Sequence, residues 1–116
     1  MLVVTRHRPL DAAGFLELAA RAIQALSAQP GCESAEVLRD LDTGAEYLLV
    51  TRWRDVGSYR RALSSFDVKV SAVGLLATAL GQPSAFEARL SVEPDTGAVV
   101  ATAGDRAPDA DTAGPR

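Results

Sequence analysis

The segment Tyr47–Leu63 constrains the fold more than any other part of the chain. Tyr47–Trp53 is an apolar run with β-branched and aromatic residues, the pattern of a buried strand. Asp55 then supplies an N-cap, and Tyr59 and Leu63, four residues apart, fall on one face of the helix that follows. The single tryptophan therefore stands at a strand–helix junction, flanked by Arg52 and Arg54. Small-molecule pockets often form at such junctions.

The remaining elements follow from the same local signals. Leu2–His7 is β-prone and stops before Pro9. Asp11 caps a helix whose apolar stripe runs through Phe15, Leu18, Ala19, Ala22, Ile23 and Leu26, and Pro30-Gly31 ends it. Residues 34–40 and 46–53 form a hairpin around Asp42-Thr43-Gly44. After the helix from Asp55, Ser64-Ser65 interrupts, and Val68–Leu80 reads as one further helical segment. Gly81-Gln82-Pro83 stops it, and Ser84–Val92 reads as the last strand. The order βαββαβ predicts an α+β, ferredoxin-like domain with an antiparallel sheet over residues 1–92. Residues 93–116 read as an acidic Pro/Ala/Gly-rich tail with one short added strand at 98–102, and Ala103–Arg116, too poor in large apolar residues to pack, is expected to be mobile.

Composition removes several function classes. Residues 1–92 balance ten acids with ten bases, so the net charge of −3 resides in the tail. Such a domain has no electrostatic footprint for nucleic acid. One cysteine, Cys32, and one histidine, His7, provide neither a disulfide nor a multi-ligand metal site. No apolar run approaches the roughly 20 residues of a membrane span, and the N-terminus lacks the order of a signal peptide. These features predict a cytoplasmic protein that binds no membrane. Leu48-Leu49-Val50 is apolar on consecutive positions, so both faces of its strand need cover. A homodimer packing sheet against sheet would supply it.

With this element order, the chain resembles the antibiotic biosynthesis monooxygenase family of dimeric α/β barrels. The resemblance rests on Met1–Arg8, Gln29–Cys32, Val37–Arg39, Tyr47–Leu63, Ser65–Val70 and Gln82–Glu87, and covers roughly residues 1–90. It implies a dimeric barrel and admits cofactor-free oxygenation of aromatic polyketides or haem degradation. Two departures bear on the choice. The quinone-forming oxygenases pair a tryptophan with an asparagine, and this chain has no asparagine. The haem-degrading members also need a helical histidine, and Ser71 stands at that place. Both departures argue against haem.

Cofactor-free oxygenation requires a general base, donors for the substrate anion, and a dry cavity that admits O2. His7 alone has an ordinary pKa near neutrality, and it is the candidate base. Trp53 offers a stacking surface and an indole N–H. Arg52 or Arg54 can neutralise an oxyanion, Tyr59 adds a hydroxyl, and Phe86 is a further substrate-binding candidate. The expected strand order is 4-1-3-2 with the first and third strands side by side and parallel, which brings His7 and Trp53 to one end of the sheet. Blander roles compete: a solvated His7, surface ion pairs for the arginines, and plain packing for Trp53 and Tyr59. The expected function is a cofactor-independent monooxygenase acting, without metal, on a flat aromatic, polyketide-type or quinol metabolite. The alternative is a non-catalytic homodimeric ligand-binding or accessory protein of a biosynthetic pathway.

Overall fold

Alternation of side chains along two neighbouring strands sets the architecture. The computed structural model describes residues 1–81 and 84–103. In β1 (Leu2–His7), Val3, Thr5 and His7 are buried, and in β3 (Tyr47–Trp53) so are Tyr47, Leu49, Thr51 and Trp53. Both sets occupy one face of the pleat, as a period of two requires. Helix α1 (Ala12–Ser27) covers that face through Phe15, Ala19, Ala22 and Leu26. The small Ala19 and Ala22 let its backbone approach the sheet, and Asp11 caps it by accepting from Gly14 N–H at 3.1 Å.

With β2 (Cys32–Arg39) and β4 (Ala85–Phe86), the sheet has the order β2-β3-β1-β4, and every neighbouring pair is antiparallel. The expected order is therefore observed, but the expected parallel pairing of the first and third strands is not. A crossover through α1 makes β1 and β2 run the same way, and the hairpin then makes the strand between them run oppositely. His7 consequently pairs with Tyr47. Trp53 instead exchanges two hydrogen bonds with Met1: its N–H donates to the Met1 carbonyl at 2.9 Å, and the terminal ammonium donates to the Trp53 carbonyl at 3.1 Å. The two rings lie at opposite ends of the sheet, roughly 20 Å apart along the strand direction at about 3.3 Å per residue.

Asp55 caps α2 (Val56–Leu63), accepting from Ser58 N–H at 2.7 Å. The helix expected over Val68–Leu80 is divided. Ser65 caps α3 (Phe66–Ser71), the backbone breaks at the buried Ala72, and α4 spans Val73–Leu76. The single strand expected over Ser84–Val92 is divided as well. Ala85–Phe86 pairs with β1, whereas β5 (Leu90–Val92) pairs with β6 (Val99–Ala101) in a hairpin. Its turn contains Gly97 at φ 71°, a left-handed value that glycine adopts without strain.

The chain groups into one unit over Met1–Phe86 and another beginning at Glu87. In the second, Leu90, Val92 and Val99 are exposed. The tail expected to be mobile from Ala103 onward lies, past that residue, outside the described residues. No described helix is long and apolar enough to cross a membrane.

Candidate functional site

β4 stays beside β1 only as far as Val3. Beyond it, Val4 N–H donates to the Ser84 carbonyl at 2.7 Å, and the Arg6 carbonyl accepts from Leu80 N–H at 2.8 Å. Along this edge, beneath α2 and α4, lies a cavity of about 480 Å³. Leu63, Val73, Leu76 and Leu80 make its wall apolar, while Thr5, Arg6, Tyr59 and Ser84 are polar residues of its lining. An apolar chamber with few polar groups is the usual form of a small-molecule site.

His7 stands behind that wall. Its side chain is buried, packed on Phe15 with ring centroids 5.3 Å apart. Nε2 lies 2.8 Å from the Thr5 hydroxyl and Nδ1 lies 3.2 Å from the Thr78 hydroxyl. Burial disfavours the imidazolium and pushes the His7 pKa below its ordinary 6.5. The unfolded chain then binds the proton more readily than the folded one, so stability is full above pH 6.5 and falls as pH drops through the folded-state pKa. Asp40, Glu46 and Asp55 are also held below their usual values, chiefly by hydrogen bonds from Thr43, Arg6 and Ser58 respectively, but their unfolded pKa values of 3.8 to 4.5 confine their effects to more acid solution. The urea midpoint is expected to decline between pH 6.5 and 5 in the wild type and to stay level there in His7→Leu. An equal decline in both would remove His7 as its cause.

Trp53 is 0 % exposed. Its indole N–H donates to the Thr51 hydroxyl at 2.8 Å, so that donor is already engaged within the core. Tyr59 packs on it at a centroid distance of 5.5 Å and lines the cavity on its other side. Burial pushes the Tyr59 phenol pKa up, so its hydroxyl remains a donor throughout the neutral range. The outer face of the sheet holds the other two candidates. Leu2 pairs with Arg52 on one side and with Phe86 on the other, so the three form one cross-strand row. Arg54 is occupied locally, 3.5 Å from Asp55 and donating to the Ser58 hydroxyl at 3.2 Å.

The candidates thus divide: His7, Trp53 and Tyr59 lie on the helix-covered side, Arg52 and Phe86 on the opposite face, and Arg54 beyond the end of the strand. Sequence reasoning passed over the threonines. Their signal is a near-repeat, Thr5-Arg6-His7-Arg8 and Thr51-Arg52-Trp53-Arg54. At a spacing of two, each threonine shares a face with the ring and engages its nitrogen.

Cys32 offers little reactivity. Burial raises its thiol pKa, and the S–H donates to the Ser34 carbonyl at 3.5 Å. Among the described residues, no group of three His, Cys, Asp or Glu side chains is placed to hold a metal.

Comparison with known proteins places this geometry in context. Among solved structures, a cofactor-independent oxygenase from Streptomyces nogalater, SnoaB, superposes with a TM-score of 0.64 at 29% identity, covering 78% of this chain and 93% of the oxygenase. A conserved protein from Methanosarcina mazei superposes at 0.59 with 22% identity over 72% of this chain and 84% of its own, a likeness of fold alone. No curated protein gives a significant sequence match. The family model for antibiotic biosynthesis monooxygenases matches residues 2–72. That match spans more than half of the chain, and the protein belongs to the antibiotic biosynthesis monooxygenase family.

Proposed function

We propose that the protein is a cofactor-independent monooxygenase that oxidises a flat aromatic, polyketide-type or quinol metabolite in the cavity beside β1. The observation that carries this reading is the joint placement of an apolar chamber of about 480 Å³, the Tyr59 hydroxyl, and a neutral imidazole one hydroxyl behind the wall. The 29% identity to an oxygenase described as cofactor-independent supports the reaction class. In this mechanism His7 is the base that receives the substrate proton, and Tyr59 donates to the resulting anion. Trp53 holds Tyr59 in place from behind. The electron-rich anion reduces O2 at a ring carbon that bears hydrogen. The O–O and C–H bonds break, one oxygen atom stays on that carbon as a carbonyl, and the other leaves as water with the carbon's hydrogen and the proton held by His7. Arg52 and Phe86 would contribute only through the outer face.

That face also carries Leu2, Val4, Leu48 and Val50, all half-buried. We assign it to contact with a second copy of the chain, because a half-buried apolar sheet face opposite the helices requires cover. The test is aerobic incubation with anthrone and no added flavin, haem or metal, following oxygen uptake and quinone absorbance. Sedimentation of the same sample is expected to give twice the chain mass of 12.2 kDa. Uptake no faster than in buffer would remove the oxygenase reading, and a monomer mass would remove the dimer.

One observation favours a second reading, a non-catalytic dimeric ligand-binding protein. Both ring nitrogens of His7 and the indole N–H of Trp53 have partners inside the fold, as in an ordinary satisfied core. Saturable quenching of protein fluorescence by anthrone without oxygen uptake would establish it.

A further inference from the structure

Proton positions along Thr5, His7 and Thr78 follow from the distances. The Thr78 hydroxyl oxygen lies 2.7 Å from the Leu75 carbonyl oxygen, which has no hydrogen to give. The Thr78 proton therefore lies between them. The 3.2 Å contact from that hydroxyl to His7 Nδ1 is then a hydrogen bond only if Nδ1 carries the proton. This leaves Nε2 of the neutral ring as a lone pair, and the 2.8 Å contact to Thr5 requires the Thr5 proton to point at it. With its proton committed, the Thr5 oxygen has lone pairs left, and Thr5 is one of the residues that line the cavity.

The geometry points to Thr5 as the group that meets the substrate: an acceptor that selects ligands bearing a hydroxyl donor, such as a phenol or enol, and relays that proton to His7. This inference rests on the assignment of the cavity as the reaction site. In the step, the substrate O–H bond breaks and its proton joins the Thr5 oxygen. The proton formerly on Thr5 passes to Nε2, and Nδ1–H keeps its bond to Thr78. The products are a substrate oxyanion and an imidazolium, so net charge is unchanged. Thr5 afterwards points a proton at the new anion, so the group that accepted from the neutral substrate now stabilises the charged one. An ether or ketone at the same place would meet lone pairs with lone pairs.

Calorimetric titration with 1-naphthol and 1-methoxynaphthalene at pH 8 tests the selection directly, because the probes differ in the one proton at issue. The wild type is expected to bind the naphthol about five- to tenfold more tightly, the worth of one net hydrogen bond. Thr5→Val, nearly isosteric, should bind the two equally, and Thr5→Ser should restore the preference. A role confined to packing would leave that ratio unchanged. The 15N spectrum of the single imidazole should show Nδ1 protonated and Nε2 bare. Equal affinities in the wild type, a preference that survives Thr5→Val, the opposite tautomer, or failure of the naphthol to bind would each overturn the proposal. If Thr5→Val does not fold, the wild-type ratio and the imidazole spectrum still decide. Anthrone oxidation with equal probe affinities would retain the oxygenase and dismiss Thr5. A hydroxyl preference without oxygen uptake would retain Thr5 as a recognition group and dismiss the oxygenase.

Discussion

Replacing Trp53 with alanine is expected to lower the free energy of unfolding by about 3–5 kcal/mol, read from the urea midpoint. The indole is 0 % exposed and packs against Tyr59 at 5.5 Å, so its removal leaves a void that the surrounding sheet and helix fill only in part. The change also strips the Thr51 hydroxyl of its donor, at the end of the sheet where Met1 and Trp53 are bonded twice. Natural domains have about 5–15 kcal/mol in total, so the variant should lose a large share of its stability and melt at a clearly lower temperature. A loss below about 1 kcal/mol would show that the indole is not a core group. Lost activity in this variant would therefore say little about chemistry. Trp53→Phe is the informative partner: it keeps an aromatic body against Tyr59 and deletes the N–H. If activity per folded molecule survives that change, Trp53 supports the site without taking part in the reaction.

Gly31→Ala is expected to be nearly as damaging, for a different reason. Gly31 has φ 87°, where an L-residue costs about 1–2 kcal/mol. A Cβ there would also lie 2.5 Å from Ser58 Cβ. The loop has little room to retreat, because the Gly31 carbonyl accepts from Arg54 N–H at 2.7 Å and Ser58 is buried. Overlap of this kind adds about 1–3 kcal/mol. Thermal melts of a double-variant cycle separate the two contributions. In a Ser58→Gly background the alanine should lose its steric cost and keep its backbone cost. Strict additivity would mean that Ser58 is not the obstacle.

Local signals in the chain were legible because they depend on few residues. Asp11 and Asp55 cap the helices expected of them, and Phe15, Ala19, Ala22 and Leu26 of the expected stripe face the sheet, whereas Leu18 stays exposed because it lies at the margin of that stripe. The break at Ala72 was not legible: nothing in an alanine between two apolar turns announces it, and its backbone is decided by packing. The relative direction of the first and third strands was recoverable in principle, since a crossover followed by a hairpin fixes it. Missing that step put His7 and Trp53 at one end of the sheet. The roles of Thr5, Thr51 and Thr78 were hidden for another reason. A hydroxyl is common on strands, and its importance here comes from which ring nitrogen it meets, which for Thr78 depends on a residue 71 positions away.

The pleat of β1 has a consequence for how proteins of this build can diversify. Val3, Thr5 and His7 face inward, while Leu2, Val4 and Arg6 alternate with them on the outer side. Two surfaces are thus written on one strand in interleaved letters. A point substitution at position 5 changes the inner face and leaves the outer one intact, and one at position 2 changes the outer face without touching the cavity lining. Insertion or deletion of a single residue would exchange the two sets. Lineages and libraries built on this strand should therefore accept substitutions freely and length changes hardly at all.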